Sequence, residues 1–271
     1  MTTAPRLQRA RGTARVGLAA RDGIARLRSL YQEGAAKVRF TGSDASQAVL
    51  INTAGGLAEG DRFDWTIALE DQALCSLTTQ ACEKIYSGRG QTPADPALVR
   101  VTLNVGAGAR LDWLPQETIL FEGAGLSRQF QVDLAPDAEL LAVEAVILGR
   151  KAMGETLARL NLRDQWRVRR AGRPIFADDL KLKGALPSMA GRSALLQGAG
   201  AFAMVLFAAA SSEQALGAIR ALLPTGAGVT AFEDKLICRI LAVDGLALRR
   251  ALIPVLTVLL GGRPMPRLWS V

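Results

Sequence analysis

Arg62-Phe63-Asp64-Trp65-Thr66-Ile67-Ala68-Leu69 carries a large apolar side chain at every second position. A strand turns successive side chains to opposite faces, so Phe63, Trp65, Ile67 and Leu69 predict the buried face of a β-strand. The same alternation recurs in Val99, Val101, Leu103 and Val105, in Leu111 with Trp113, and in Phe130, Val132 and Leu134. Turn signals separate these runs at Gly55-Gly56, Gly88–Gly90, Pro93–Pro96, Gly106–Gly108, Gly123–Gly125 and Pro136-Asp137. Further on, Trp166-Arg-Val-Arg169 passes through Ala171-Gly172 to Pro174-Ile-Phe176, which predicts a hairpin.

The last third changes period. Ser211 and Ser212 offer an N-cap, with Gln214 in a capping-box position. Ala215, Leu216, Ile219, Leu222 and Leu223 then share one helical face as far as Pro224 and Gly226. A second helix is expected from Asp244, with an apolar stripe of Leu248, Leu252, Val255, Leu256, Leu259 and Leu260. Pro254 should kink it and Gly261-Gly262 should end it. The helices follow the strands instead of alternating with them, which argues against a Rossmann or TIM-barrel architecture. No repeat of fixed period is visible, and residues 1–271 read as a single domain.

Of 271 residues, 49% are hydrophobic and 21% charged, which supplies a core and excludes a disordered chain. No apolar run reaches the roughly 20 residues a membrane helix needs, and a cytoplasmic location is expected. The net charge is +8. Residues 1–40 hold nine basic and two acidic groups, so seven of the eight excess charges lie there. Residues 1–12 read as a flexible basic arm, suited to an acidic partner protein; without interleaved aromatics it is a weak signal for nucleic acid.

Histidine is absent. That removes the commonest general base and the commonest nitrogen ligand for metals. Cys75, Cys82 and Cys238 form no C-x-x-C pair and cannot supply four thiolates, so they read as small buried residues and no tight metal site is expected. Gly198-Ala-Gly200-Ala-Phe-Ala203 matches G-x-G-x-x-A, but strand formers follow it where a dinucleotide site needs a helix. The remaining reactive groups are carboxylates. Glu59 and Asp61 flank Gly60, and Glu83, Glu117, Glu122, Glu144 and Glu155 sit in or beside apolar stretches. Such acids serve either as structural hydrogen-bonders or as the polar lining of a cavity.

Four segments resemble the UreD (UreH) family of urease accessory proteins: Leu50-Ile-Asn-Thr-Ala-Gly-Gly-Leu-Ala-Glu-Gly-Asp-Arg62, Thr78-Thr-Gln-Ala-Cys-Glu-Lys-Ile-Tyr86, Leu111-Asp-Trp-Leu-Pro-Gln-Glu-Thr-Ile-Leu-Phe-Glu-Gly-Ala124 and Leu148-Gly-Arg-Lys-Ala-Met-Gly-Glu155. Gly262-Arg-Pro-Met-Pro-Arg-Leu-Trp269 resembles the family's C-terminus. Cys82 and Glu83 depart from the smaller or neutral residues of that pattern, and Ser87-Gly88 from a more basic pair. The resemblance implies a mostly β fold of stacked or coiled sheets, β-helix-like or sandwich-like, with about two α-helices near the C-terminus. It also implies a non-catalytic protein that binds apo-urease and UreF, reaches the GTPase UreG through UreF, and leaves room for a dimer within that complex. The resemblance further implies that no cofactor is held tightly and that Ni2+ passes in transit through a tunnel.

Matching residue by residue, the resemblance implies Asp61, Thr78, Thr79 and Glu155 as candidates for that route. It implies structural or partner-facing roles for Gly55, Gly56, Arg62, Gln116, Glu117, Glu122 and Arg150. Physically, Gly55-Gly56 suits a turn needing positive φ, and Glu117 and Glu122 follow Trp-Leu-Pro where they can cap backbone amides. Without histidine, nickel contacts would run through oxygen ligands, so weak binding that changes little between pH 6 and 7.5 is expected. Two other readings compete: a β-helical carbohydrate-active enzyme with paired carboxylates, which a coil repeat of about 20–25 residues would favour, and a basic nucleic-acid-binding adaptor.

Overall fold

The expected strand at Phe63 is one rung of a seven-stranded sheet. A computed structural model of the chain describes residues 9–21, 24–42, 44–88, 95–150, 154–186 and 195–269. Sheet A contains β1 (Arg11–Arg21), β2 (Ile24–Gly34), β5 (Arg62–Leu69), β8 (Ala97–Val105), β11 (Gly125–Leu134), β13 (Leu160–Arg170) and β14 (Arg173–Gly184), in the order β14-β13-β11-β8-β5-β1-β2. Sheet B contains β3 (Ala36–Phe40), β4 (Gln47–Asn52), β6 (Leu74–Thr79), β9 (Arg110–Trp113), β12 (Glu139–Leu148), β15 (Ala201–Ala208), β16 (Ala227–Phe232) and β17 (Lys235–Ala242), in the order β16-β17-β15-β12-β9-β6-β4-β3. Two short strands, β7 (Glu83–Ile85) and β10 (Thr118–Leu120), pair beside β12.

From β5 to β13 the chain coils between the sheets, entering each in parallel with its last visit. In sheet A, Phe63 pairs with Val99, 36 residues on; Val101 with Phe130, 29 on; and Phe130 with Trp166, 36 on. In sheet B, Leu77 pairs with Trp113, again 36 on. The fold is therefore mostly β, at once coiled and two-sheeted. Its coils exceed the 20–25 residues looked for, and their unequal steps explain why no fixed repeat is visible.

The alternating residues bury as expected. Phe63, Trp65, Ile67 and Leu69 meet Leu103, Phe130, Trp166 and sheet B's Cys75, Leu77 and Leu111 in one core between the sheets. Phe130 and Trp166 lie with ring centroids 4.5 Å apart, the ladder neighbours that parallel pairing makes of them. Trp166 also meets Phe176 edge-on across the expected hairpin. Its two-residue loop has φ 48° at Ala171 and 77° at Gly172, the signature of a type I′ turn.

The opposite face of sheet B carries a second core under two helices, α1 (Leu216–Leu222) and α2 (Gly245–Leu260). Strand β12 is buried on both faces, which is why Leu140–Leu148 is apolar with little alternation apart from Glu144. Helix α2 follows the prediction: Asp244 accepts from the Ala247 amide at 2.8 Å, the predicted stripe is buried, and Gly261 takes φ 60°. It continues through Pro254.

Helix α1 differs from its prediction. It starts at Leu216 after Ala215, with no side-chain cap, and buries only Ile219. Upstream, Ser212, Gln214 and Leu216 bond three residues back, so the segment turns before it becomes helical, and the Ser212 hydroxyl is buried. Strand β1 begins at Arg11, so the last two residues of the predicted arm belong to sheet A. Residues 1–8 of that arm, Arg89 and Gly90, Pro93, and Lys151 to Met153 of the fourth family segment lie outside the described residues. Among those described, no helix is long and apolar enough to cross a membrane.

Candidate functional site

The inward face of β11 reads Leu126, Arg128, Phe130, Val132 and Leu134, so one cation stands in an apolar series. Parallel register sets Arg128 beside Asp164, which replaces an apolar residue in the inward series of β13. The Arg128 guanidinium donates from Nε to Asp164 Oδ1 at 3.1 Å and from Nη2 to Oδ2 at 2.5 Å. Its Nη1 bonds Glu144 of β12 in the facing sheet and reaches Thr118 Oγ1 at 3.3 Å. Trp113 Nε1 donates to the other Glu144 oxygen at 3.0 Å. One arginine, 3% exposed, thus joins both sheets through two buried carboxylates. Burial alone would lower the guanidinium pKa, but Asp164 and Glu144 raise it above its ordinary value. Burial, joined by Asp164 and opposed by Arg128, pushes the Glu144 carboxyl up to about 7.

Two cavities share Glu144 in their linings, and each is lined by two members of the triad. An inner one of about 60 Å3 is lined by Thr79, Glu83, Gln116, Thr118, Arg128 and Glu144 among aromatic and aliphatic side chains. An outer one of about 300 Å3 is lined by Glu144, Asp164, Asp178, Asp179 and Arg239. Both volumes exceed what a water needs, and both have polar partners to hold one. Glu83 closes the inner cavity: Asn52 Nδ2 donates to both its oxygens at 3.1 Å. Burial outweighs those bonds and pushes Glu83 up to about 7. Among the described residues, no cation pairs with it.

Beside the inner cavity a second polar group ties the helical layer to the sheets. Arg249 of α2 forks onto Glu117 at 2.9 and 2.8 Å and reaches Gln116 Oε1 at 2.5 Å. Burial raises the Glu117 carboxyl, and the Arg249 bonds overcome it, leaving it below its ordinary value. Glu117 therefore serves Arg249 more than the backbone cap expected of it. Cys82 donates to Glu117 at 3.4 Å, and burial with that negative neighbour pushes its thiol up to about 11. Cys75 and Cys238 are buried, as small apolar residues should be; Cys82 is half-buried.

The other predicted residues are scattered. Asp61 is buried and accepts the Ala10 and Ala58 amides, one on each oxygen, both at 2.8 Å. Arg62 bonds the Asp61 and Pro96 carbonyls and Asp95. Gly55 and Gly56 take φ 77° and 143°, and a Cβ on Gly56 would lie 2.4 Å from the Tyr86 ring. Thr79 faces the inner cavity, whereas Thr78, on the opposite face of β6, lines a groove under residues 264–268. Glu122 caps the Arg159 amide, as expected, and Glu155 accepts the Glu122 and Arg150 amides and pairs with the Arg150 guanidinium. Asp61 and Glu155 line neither cavity. Gly200 leads into β15 and not into a helix, which disposes of the dinucleotide pattern.

Arg128 and Asp164 are not among the predicted site residues. Their signal is a charge at an inward position of a period-two series, visible once Leu126–Leu134 and Leu160–Val168 are read in register. Among the described residues, no three His, Cys, Asp or Glu side chains converge on one metal position. The triad can hold a cation between two carboxylates, and its present occupant is a guanidinium.

The family model for UreD urease accessory protein matches residues 10–270. The chain belongs to the UreD family. A UreD urease accessory protein from Rhizobium etli is 49% identical over 100% of this chain and 99% of its own. That of Rhizobium leguminosarum bv. viciae is also 49% identical, over 98% and 97%, and that of Agrobacterium fabrum 42%, over 98% and 93%. The UreD assignment thus covers both sheets and the helical layer, and makes the chain an accessory protein of urease.

Proposed function

We propose that the chain is a non-catalytic urease maturation factor of the cytoplasm. It links apo-urease to UreF, and through UreF to the GTPase UreG, and carries Ni2+ through the polar interior between its sheets. The observation that supports the route is a pair of cavities that share Glu144 in their linings and carry further oxygen-bearing side chains among the apolar ones. The inner cavity offers oxygens of Thr79, Thr118, Glu83 and Glu144; the outer one adds Asp164, Asp178 and Asp179. Oxygen ligands hold a borderline divalent cation less tightly than imidazole or thiolate. A route must bind its cargo well enough to admit it and weakly enough to release it. Ni2+ is cargo here, and no resident cofactor is implied.

A carbohydrate-active site would need two carboxylates free to act on a glycosidic bond. Glu144 and Asp164 are both bound to Arg128 in the interior, which does not favour that reading.

The test is co-expression of the full chain, wild type or Glu144→Gln, with urease, UreF and UreG. Urease nickel is then measured by mass spectrometry, and the partners are recovered by affinity purification. Glu144→Gln is expected to lower urease nickel several-fold while UreF and apo-urease still co-purify. Full nickel loading by the variant would sink the route through Glu144. Failure of the wild-type chain to co-purify with UreF would sink the scaffold.

A further inference from the structure

We infer that Arg128 is a built-in plug: its guanidinium occupies the place a divalent cation takes between Glu144 and Asp164 during transit. The inference rests on the conduit reading of this interior. Arg128 lines the inner cavity, Asp164 the outer one, and Glu144 both, so the triad stands where the two would join. Among the described residues, the donors to the two carboxylates are the Arg128 guanidinium and the Trp113 indole, and Thr118 Oγ1 accepts from that same guanidinium.

Charge balance argues for exchange in place of co-occupancy. Glu144 and Asp164 carry two negative charges when ionised. Arg128 neutralises one of them; a divalent cation neutralises both. Taking two anions out of water without a counter-charge costs several kcal/mol per ion, so the pair holds one occupant or the other. The guanidinium keeps its charge at every physiological pH, and while it stays it repels an arriving cation.

The fold also provides a place for the displaced side chain. Glu83 lines the same inner cavity as Arg128, and among the described residues it has no cation partner. A guanidinium on a long, flexible stem can exchange the Glu144–Asp164 pair for Glu83 within that cavity. An ion triad serving only as a staple would gain nothing from charge, since well-packed apolar residues are commonly as stabilising.

Ni2+ alone, titrated calorimetrically into the full chain, is the probe. Arg128→Gln is expected to tighten Ni2+ binding at least tenfold over wild type, and the gain should vanish in Arg128→Gln/Glu144→Gln. Arg128→Lys keeps the charge but loses the fork, and should show a gain of a few-fold; it carries the test if the glutamine variant does not fold. Wild-type affinity in both Arg128 variants would overturn the plug and leave the triad a staple. Poor urease loading by Glu144→Gln without any affinity gain at Arg128 overturns the plug and keeps the conduit. An affinity gain that depends on Glu144, with full loading by Glu144→Gln, supports the cation site and overturns the conduit.

Discussion

Glu83 accepts from the Asn52 amide on both carboxylate oxygens and from the Lys84 backbone amide, and has no cation partner among the described residues, so burial decides its titration. Its pKa rises from 4.5 to about 7. The folded chain thus holds this proton between pH 4.5 and 7, where the unfolded chain has lost it. Stability from Glu83 is complete below the unfolded value and is lost as pH rises through 7. Glu83→Gln should therefore stabilise the protein at pH 8 by about 2 kcal/mol, a figure reduced for its partial solvent contact. In urea titrations that advantage should vanish below pH 5; an equal gain at both pH values would refute the assignment. Asp61 makes the opposite case. Its two backbone bonds pin the start of β1 to the turn before β5, so Asp61→Ala should cost about 2 kcal/mol in the same assay through the orphaned amides. Sequence offered Asp61 through a family motif and Glu144 through a lone acid in an apolar run. Only the fold separates a residue that fastens a turn from one that lines a cavity.

Elements whose ends are set by local chemistry were the most legible. The β13–β14 hairpin and α2 stand where Ala171-Gly172 and Asp244 put them. Ala171 is strained at φ 48° in a turn that favours asparagine, so Ala171→Asn should add about 0.5–1 kcal/mol, read as a raised thermal midpoint. Asp244→Ala should cost about 1 kcal/mol by removing the cap on the Ala247 amide. Helix α1 was misread at its start for a physical reason. Ser211 and Ser212 satisfy the sequence rule for a cap, but Ser212 is drawn into the core as the chain turns off β15, and tertiary burial outweighs a local preference. Leu222, assigned to the buried face, is 42% exposed, because a helix this short turns only Ile219 fully into the core, with Ala215 and Leu223 packing partly at its ends.

For the whole molecule, the decisive feature is that sheet neighbours are distant in sequence. From β5 through β8 and β11 to β13 each parallel rung closes a loop of 29 or 36 residues before it is rewarded, and β1 with β5 closes one of 51, so refolding should take on the order of seconds or longer in stopped-flow tryptophan fluorescence. Millisecond recovery of the full signal would contradict that topology. The residue pattern by itself determined which side chains face inward, because strand and helix periods act over a few residues. It also determined which chemistry is missing, since a chain without histidine cannot use imidazole. What it could not determine is which inward residues meet. Period-two alternation is the same for parallel and antiparallel strands, and the unequal coils hide the register. Only the tertiary structure brings Arg128, Glu144 and Asp164 together. Burial, which depends on the fold, is the main cause that raises Glu83 and Glu144, with Asp61 and Asp164 adding to it. The sequence has no side chain that ordinarily titrates near neutrality; the fold raises two carboxyls toward it.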